Sequence, residues 1–112
     1  MISKELLSEV VGLCCGVKSI RNSEVVYWFN CIGEVQESSI NIYELAYLCK
    51  EWASKHHYSV MSGWEMTHWG GAYRVAVFRN SDNILFSMST VKTEPEAIFR
   101  ACEWIFNNKV IK

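Results

Sequence analysis

The last third of the chain carries the feature that most restricts how it can fold, an amphipathic helix with a clear start. Thr93-Glu94-Pro95-Glu96 is a capping box that holds proline in the first turn, where no amide hydrogen is required. An apolar stripe then recurs at helical spacing through Ile98, Ala101, Cys102 and Ile105, widened by Phe99 and Phe106. Such a helix must bury its stripe against another layer, which predicts a layered domain. We expect Asn107 to Lys112 to be a short tail.

Two further helices are predicted upstream. Asn41 has the residue type of an N-cap, and Glu44 three positions later completes a capping box. The helix that follows should end near Lys55, and its predicted buried face consists of Ile42, Leu45, Cys49 and Trp52. The segment from Ile2 to Val11 also has helical spacing, with Ser3 as its cap.

Five segments have the composition of strands, with β-branched and aromatic residues between turn signals. They are Val17 to Arg21, Glu24 to Ile32, Tyr58 to Trp64, Ala72 to Arg79 and Ile84 to Thr90. The polar stretch from Gly33 to Ser39 is interpreted as a connection. In the last strand, Ile84, Phe86 and Met88 should share one face, because side chains alternate along a strand.

These elements predict an α+β fold. The order is α-β-β-α-β-β-β-α, and the short connections favour an antiparallel sheet of about five strands packed with amphipathic helices. With 112 residues, the chain has the size of a single domain spanning 1–112.

The charge balance argues against binding to nucleic acid. Eleven basic residues are interspersed with 12 acidic residues, and the net charge is −1, whereas nucleic-acid binders usually have a basic excess. The sequence shows no secretory signal and no membrane span. We therefore expect a cytoplasmic protein whose five cysteines are free thiols.

The sequence lacks the motifs of the common catalytic and metal sites. It contains no nucleophile elbow, phosphate loop or dinucleotide fingerprint. His56, His57 and His68 do not have the spacing of metal ligands. We therefore expect no catalytic residues, no metal and no cofactor.

The candidate binding residues lie around a connection from Gly63 to Gly71. This segment holds two tryptophans, a methionine and a histidine between glycines, and such side chains are enriched at protein interfaces. The predicted protein-binding residues are Trp64, Met66, His68, Trp69 and Tyr73. The alternative is a hairpin whose two indoles fold back onto the core.

The segment from Asn41 to Asn107 resembles the phage ABA-sandwich domain family. The family pattern is a helix, a three-stranded meander and a second helix, which here opens at Thr93-Glu94-Pro95-Glu96 and continues with a stripe of small and apolar residues. The resemblance implies a small accessory protein of a bacteriophage or prophage.

Two hypotheses of function follow. The first is a non-enzymatic phage-type protein that binds a host protein or protein complex, as an anti-CRISPR-like inhibitor of host defence does; self-association stays open. The alternative is a small enzyme or nucleic-acid-binding protein of a mobile element.

Overall fold

The computed structural model describes residues 2–11, 15–21, 24–31, 34–67, 70–79 and 84–110. The helices are α1 (Lys4–Val11), α2 (Ile42–Lys55) and α3 (Glu94–Val110). The strands are β1 (Cys15–Arg21), β2 (Glu24–Cys31), β3 (Glu34–Asn41), β4 (Ser59–Thr67), β5 (Gly70–Phe78) and β6 (Ile84–Val91).

The helix starts follow the predicted caps. The Ser3 hydroxyl accepts the amide hydrogen of Leu6 at 3.1 Å, and the Asn41 side chain accepts that of Tyr43 at 2.8 Å. The Thr93 hydroxyl accepts the amide hydrogen of Glu96 at 3.4 Å. Each cap satisfies an amide that has no partner within its helix.

The α+β class and the antiparallel pairing are confirmed, but the predicted single sheet of five strands is not what the chain forms. In the described residues, six strands form two three-stranded antiparallel sheets, β1-β2-β3 and β4-β5-β6. We call them the first sheet and the second sheet. The element order is therefore α-β-β-β-α-β-β-β-α.

The extra strand is β3, in a segment that we predicted to be a connection. It pairs with β2 in unbroken register from Cys31↔Glu34 to Glu24↔Asn41. Its polar residues misled the prediction, because strand formation depends on backbone pairing with a neighbour as much as on the strand's own composition. The predicted tail was also wrong, since α3 continues to Val110.

A second correction concerns Ile84, which was expected to share a face with Phe86 and Met88. Phe86 and Met88 do pack against the core. The register of β6 against β5 shifts between Val77 and Phe78, so that Phe86 opposes Val77 whereas Ile84 opposes Phe78. The extra residue of this β-bulge moves Ile84 to the opposite face of the sheet.

The core lies between the three helices and the second sheet. Most of its buried members come from α1, α2, β5 and α3, and the fully covered side chains include Leu6, Leu45, Val75, Val77 and Phe99. The predicted stripe of α3 is buried throughout.

None of the described helices is both long and apolar enough to cross a bilayer. That residues 1–112 form one domain stays a prediction.

Helices α2 and α3 approach each other closely at two buried cysteines. The Cys102 thiol donates a hydrogen bond to the backbone carbonyl of Cys49, with 3.5 Å between sulfur and oxygen. Both thiols are free and fully buried, as the sequence predicted for these two. Hydrogen bonding between the thiols, and then burial, raises the pKa of Cys49 far above its ordinary value.

Candidate protein-binding site

The predicted recognition loop is largely part of a hairpin. β4 extends to Thr67 and β5 begins at Gly70, so Trp64 and Met66 are strand residues. Nine consecutive pairs join the strands, from Ser59↔Phe78 to Thr67↔Gly70. The glycines that suggested a loop are strand residues, and each is paired with a residue of the neighbouring strand.

Trp64 lies over a glycine of the neighbouring strand. A Cβ atom built on Gly71 would overlap the six-membered ring of the Trp64 indole. The indole also meets the Tyr73 ring edge to face, with 5.0 Å between ring centroids. Because Gly71 has no side chain, the indole can rest directly on the β5 backbone.

Although it is held in this way, Trp64 remains 59% exposed. It lies on the face of the second sheet that packs against the helices, because Tyr73, directly opposite, packs against the core. The first turn of α3 contacts the strand two residues earlier, where the Ser62 hydroxyl donates to Glu94 with 2.9 Å between oxygens. Trp64 is about 7 Å further along the strand.

The structure brings three of the five predicted site residues together. Trp64 and Tyr73 are in ring contact, and Met66, which is 73% exposed, opposes Gly71 on the same face. We call Trp64, Met66 and Tyr73, with Gly71 beneath them, the Trp64 surface. The remaining two predicted residues, His68 and Trp69, lie outside the described residues.

The opposite face of the second sheet holds a shallow groove that the sequence interpretation missed. It has a volume of about 450 Å³. Ala76 lines it centrally, and Met61, Phe78 and Ile84 supply its apolar sides. Met61 and Ile84 are both at least half exposed. The bulge that redirects Ile84 could not be read from alternation, and this is why the groove was missed.

Two opposite charges lie at one end of this groove. Arg74 on β5 and Glu65 on β4 approach to 4.0 Å, and both side chains are close to half exposed. Gly63 is directly opposite Arg74, and no atom beyond its two chain neighbours lies within 4 Å of a Cβ built there. An exposed pair of this kind contributes little to stability, so both groups remain available to another molecule.

A second exposed aromatic patch lies on α2. Tyr43 and Tyr47 are one helical turn apart and are 57% and 63% exposed. Together with Glu44 and Leu48 they line a shallow depression. No ring contact fixes either tyrosine among the described interactions, which distinguishes this patch from the Trp64 surface.

The histidines and cysteines are dispersed. His56 stacks edge to face on Trp52 at 4.9 Å, and His57 occupies the left-handed turn after α2 with φ 69°. Within the part of the chain that the structure describes, no three histidine, cysteine or acidic residues are grouped as a metal site would require.

Comparison of this chain with models of known protein families, with curated proteins and with solved structures finds no match. The candidate site therefore has to be interpreted from its own geometry.

Proposed function

We propose that this chain is a non-enzymatic protein-binding module that engages its partner through the Trp64 surface. The observation that supports this most strongly is Trp64 itself, which is exposed to 59% yet held between Gly71 and the Tyr73 ring. Tryptophan is among the residues that most often dominate binding energy at protein interfaces.

The fixed position of the indole is what favours binding over incidental exposure. A side chain that is already ordered loses little conformational entropy when a partner covers it, and this loss otherwise reduces affinity by about 0.5–1.5 kcal/mol per side chain. Met66 beside it adds a flexible, polarisable contact that adapts to the partner's shape.

The partner that we propose is a host protein, in keeping with the resemblance of residues 41–107 to phage accessory proteins. Under this proposal the chain acts by occupying a surface of a host complex, including defence machinery such as CRISPR, rather than by turnover. The near-neutral charge of the chain supports a protein rather than a nucleic acid as the partner.

The test is affinity capture of host proteins on the purified chain, followed by titration of each purified candidate. Trp64→Ala should weaken binding by about 2 kcal/mol or more, which is roughly thirtyfold. The matched control is Tyr47→Ala, because Tyr47 is similarly exposed but lies on α2. The proposal is wrong if Trp64→Ala binds as the unaltered chain does, or if the chain instead shifts nucleic acid in a gel.

A further inference from the structure

The outer edge of β4 is unpaired in the part of the chain that the structure describes. β4 is an edge strand of the second sheet, and among the described residues no strand pairs with its other side. Its nine residues pair with β5 without a single register shift. An unpaired edge of this length without a bulge is a template for pairing with another strand.

The other edge strands of the described residues carry features that hinder such pairing. β6 contains two register irregularities against β5, and β1 contains one against β2. β3 includes Glu34 and Glu37, whereas β4 contains one charged residue, Glu65. Bulges and charges are the usual protection of sheet edges. β4 is therefore the least protected edge.

The side chains in the middle of β4 leave its outer edge accessible. The Trp64 indole leans over Gly71 of β5, away from the edge. The Ser62 hydroxyl is bonded to Glu94 of α3, and Gly63 between them has no side chain. The described side-chain contacts of Trp64 and Ser62 are therefore with β5 and α3, and Gly63 has no side chain to cover the edge.

We propose that β4 pairs with β4 of a second copy of this chain, antiparallel about a two-fold axis at Trp64. The two second sheets would then form one continuous sheet of six strands. In this register residue 64+n of one copy opposes residue 64−n of the other. Glu65 of each copy therefore opposes Gly63 of the other.

Charge complementarity selects this register. Arg74 lies directly opposite Gly63 within one chain, and directly opposing residues of an antiparallel pair point to the same face. Arg74, Gly63 and Glu65 of the second copy thus form one row across the dimer. The two charged residues are two strand spacings apart, about 10 Å between Cα atoms.

Gly63 is the residue that permits this contact. A side chain there would stand between the guanidinium and the second carboxylate, but no residue beyond the chain neighbours of Gly63 lies within 4 Å of a Cβ built there. Arg74 keeps free donors, because its one described carboxylate contact is at 4.0 Å and a guanidinium has five N–H groups. The two-fold axis repeats the interaction.

This inference goes beyond the proposed function, because a dimer requires no foreign protein and either idea can fail alone. It also gives the proposed function a larger surface. The Trp64 and Tyr73 rings of both copies would lie side by side on one face of the joined sheet.

The first test is the molecular mass in solution by sedimentation equilibrium across micromolar concentrations. The unaltered chain should approach twice the 12.9 kDa of one copy. Glu65→Lys alone and Arg74→Glu alone should each raise the dimer dissociation constant by about tenfold or more. Each substitution gives residue 74 of one copy and residue 65 of the other the same charge, at both contacts related by the two-fold axis.

The decisive experiment mixes these two variants. In a mixed dimer the Glu65→Lys side chain of one copy faces the Arg74→Glu side chain of the other, so the charges are opposite but exchanged. The native Arg74–Glu65 pair forms at the symmetry-related position, so a mixed dimer should form at the affinity of the unaltered chain. Contacts inside each chain are not repaired by mixing, so a purely structural role would give no rescue. Tyr47→Lys on α2 is the control and should leave the mass unchanged.

Hydrogen exchange provides a measurement on the unaltered chain, which holds even if a variant fails to fold. Dimer formation should slow amide exchange within residues 59–67 relative to a dilute sample. A chain that remains monomeric overturns the proposal. A dimer whose amide protection lies outside residues 59–67 also overturns it. So does a dimer whose dissociation constant is unchanged by both substitutions.

Discussion

The Trp64 indole occupies the space where a side chain on Gly71 would lie. This relationship makes the two residues a single unit, because neither position can change in size without affecting the other. It also accounts for the fixed position of an indole that is more than half exposed.

Gly71→Ala should therefore displace the indole and destabilise the fold by about 1 kcal/mol, the lower end of the effect of an overfilled core, because the exposed ring can move. Gly63→Ala is the matched control at dilutions where the chain is monomeric, since the new methyl group would meet no residue beyond the chain neighbours of Gly63 within 4 Å and should be close to neutral. Chemical denaturation of both variants measures the difference. In Trp64→Ala the further change of Gly71 to alanine should cost much less, and a double-mutant cycle without coupling would contradict the contact.

The thiol of Cys49 should make stability fall in alkaline solution. Its pKa is raised in the folded state, first by the hydrogen bond with Cys102 and then by burial. Below its usual pKa of 9.0 the thiol is neutral in both the folded and the unfolded chain, so it does not change the free energy of unfolding. Above that value only the unfolded chain ionises, and the free energy of unfolding should fall by up to about 1.4 kcal/mol per pH unit.

The measurement is denaturant unfolding between about pH 8 and pH 10.5, which brackets the ordinary thiol pKa, compared with Cys49→Ala. In Cys49→Ala the free energy of unfolding should fall less steeply with pH, because the contribution of one titrating thiol is absent. An identical slope in both proteins would show that Cys49 ionises equally well when buried. Cys102 should also resist alkylation until the chain unfolds, because its thiol is buried and hydrogen-bonded.

The cap of α3 should be worth a measurable part of the stability. Thr93→Ala removes the hydroxyl that accepts the Glu96 amide, at a cost of about 1 kcal/mol. Thr93→Ser keeps the acceptor and should retain most of the stability. Thermal melting compares the two, and equal melting temperatures would mean that the 3.4 Å contact contributes nothing.

The contact between Ser62 and Glu94 should hold β4 against the first turn of α3. Ser62→Ala should destabilise by about 1.5–3 kcal/mol, the range for a hydrogen bond to a charged acceptor. Ser59→Ala on the same strand is the control, since Ser59 is exposed. If the two variants unfold at the same denaturant concentration, the contact is incidental.

Helices were predictable because their signals are local. The caps Asn41 and Thr93 act within three residues of themselves, and the stripe from Ile98 to Ile105 follows one period. The register of the second sheet was not predictable, because the bulge opposite Phe78 depends on how two separate strands meet. β3 was missed for the same reason.

The site was predictable in composition but not in form. The sequence drew attention to Trp64 and Met66 through residue type alone, and both are exposed. It placed them in a loop because glycines usually interrupt strands. That Gly71 supports the indole follows from how β4 pairs with β5 and from the ring lying over Gly71, neither of which a sequence pattern gives.

The bulge at the start of β6 determines what the deletion of one residue there would do to the strand. Ile84 and Leu85 together oppose Phe78, so removing Leu85 would leave Ile84 opposite Phe78 and Phe86 opposite Val77. The shortened strand would keep both faces intact. It would also become straighter at an exposed edge without any charged residue, and such an edge invites aggregation. We therefore expect the extra residue to be dispensable for folding but to hinder pairing between copies along β6.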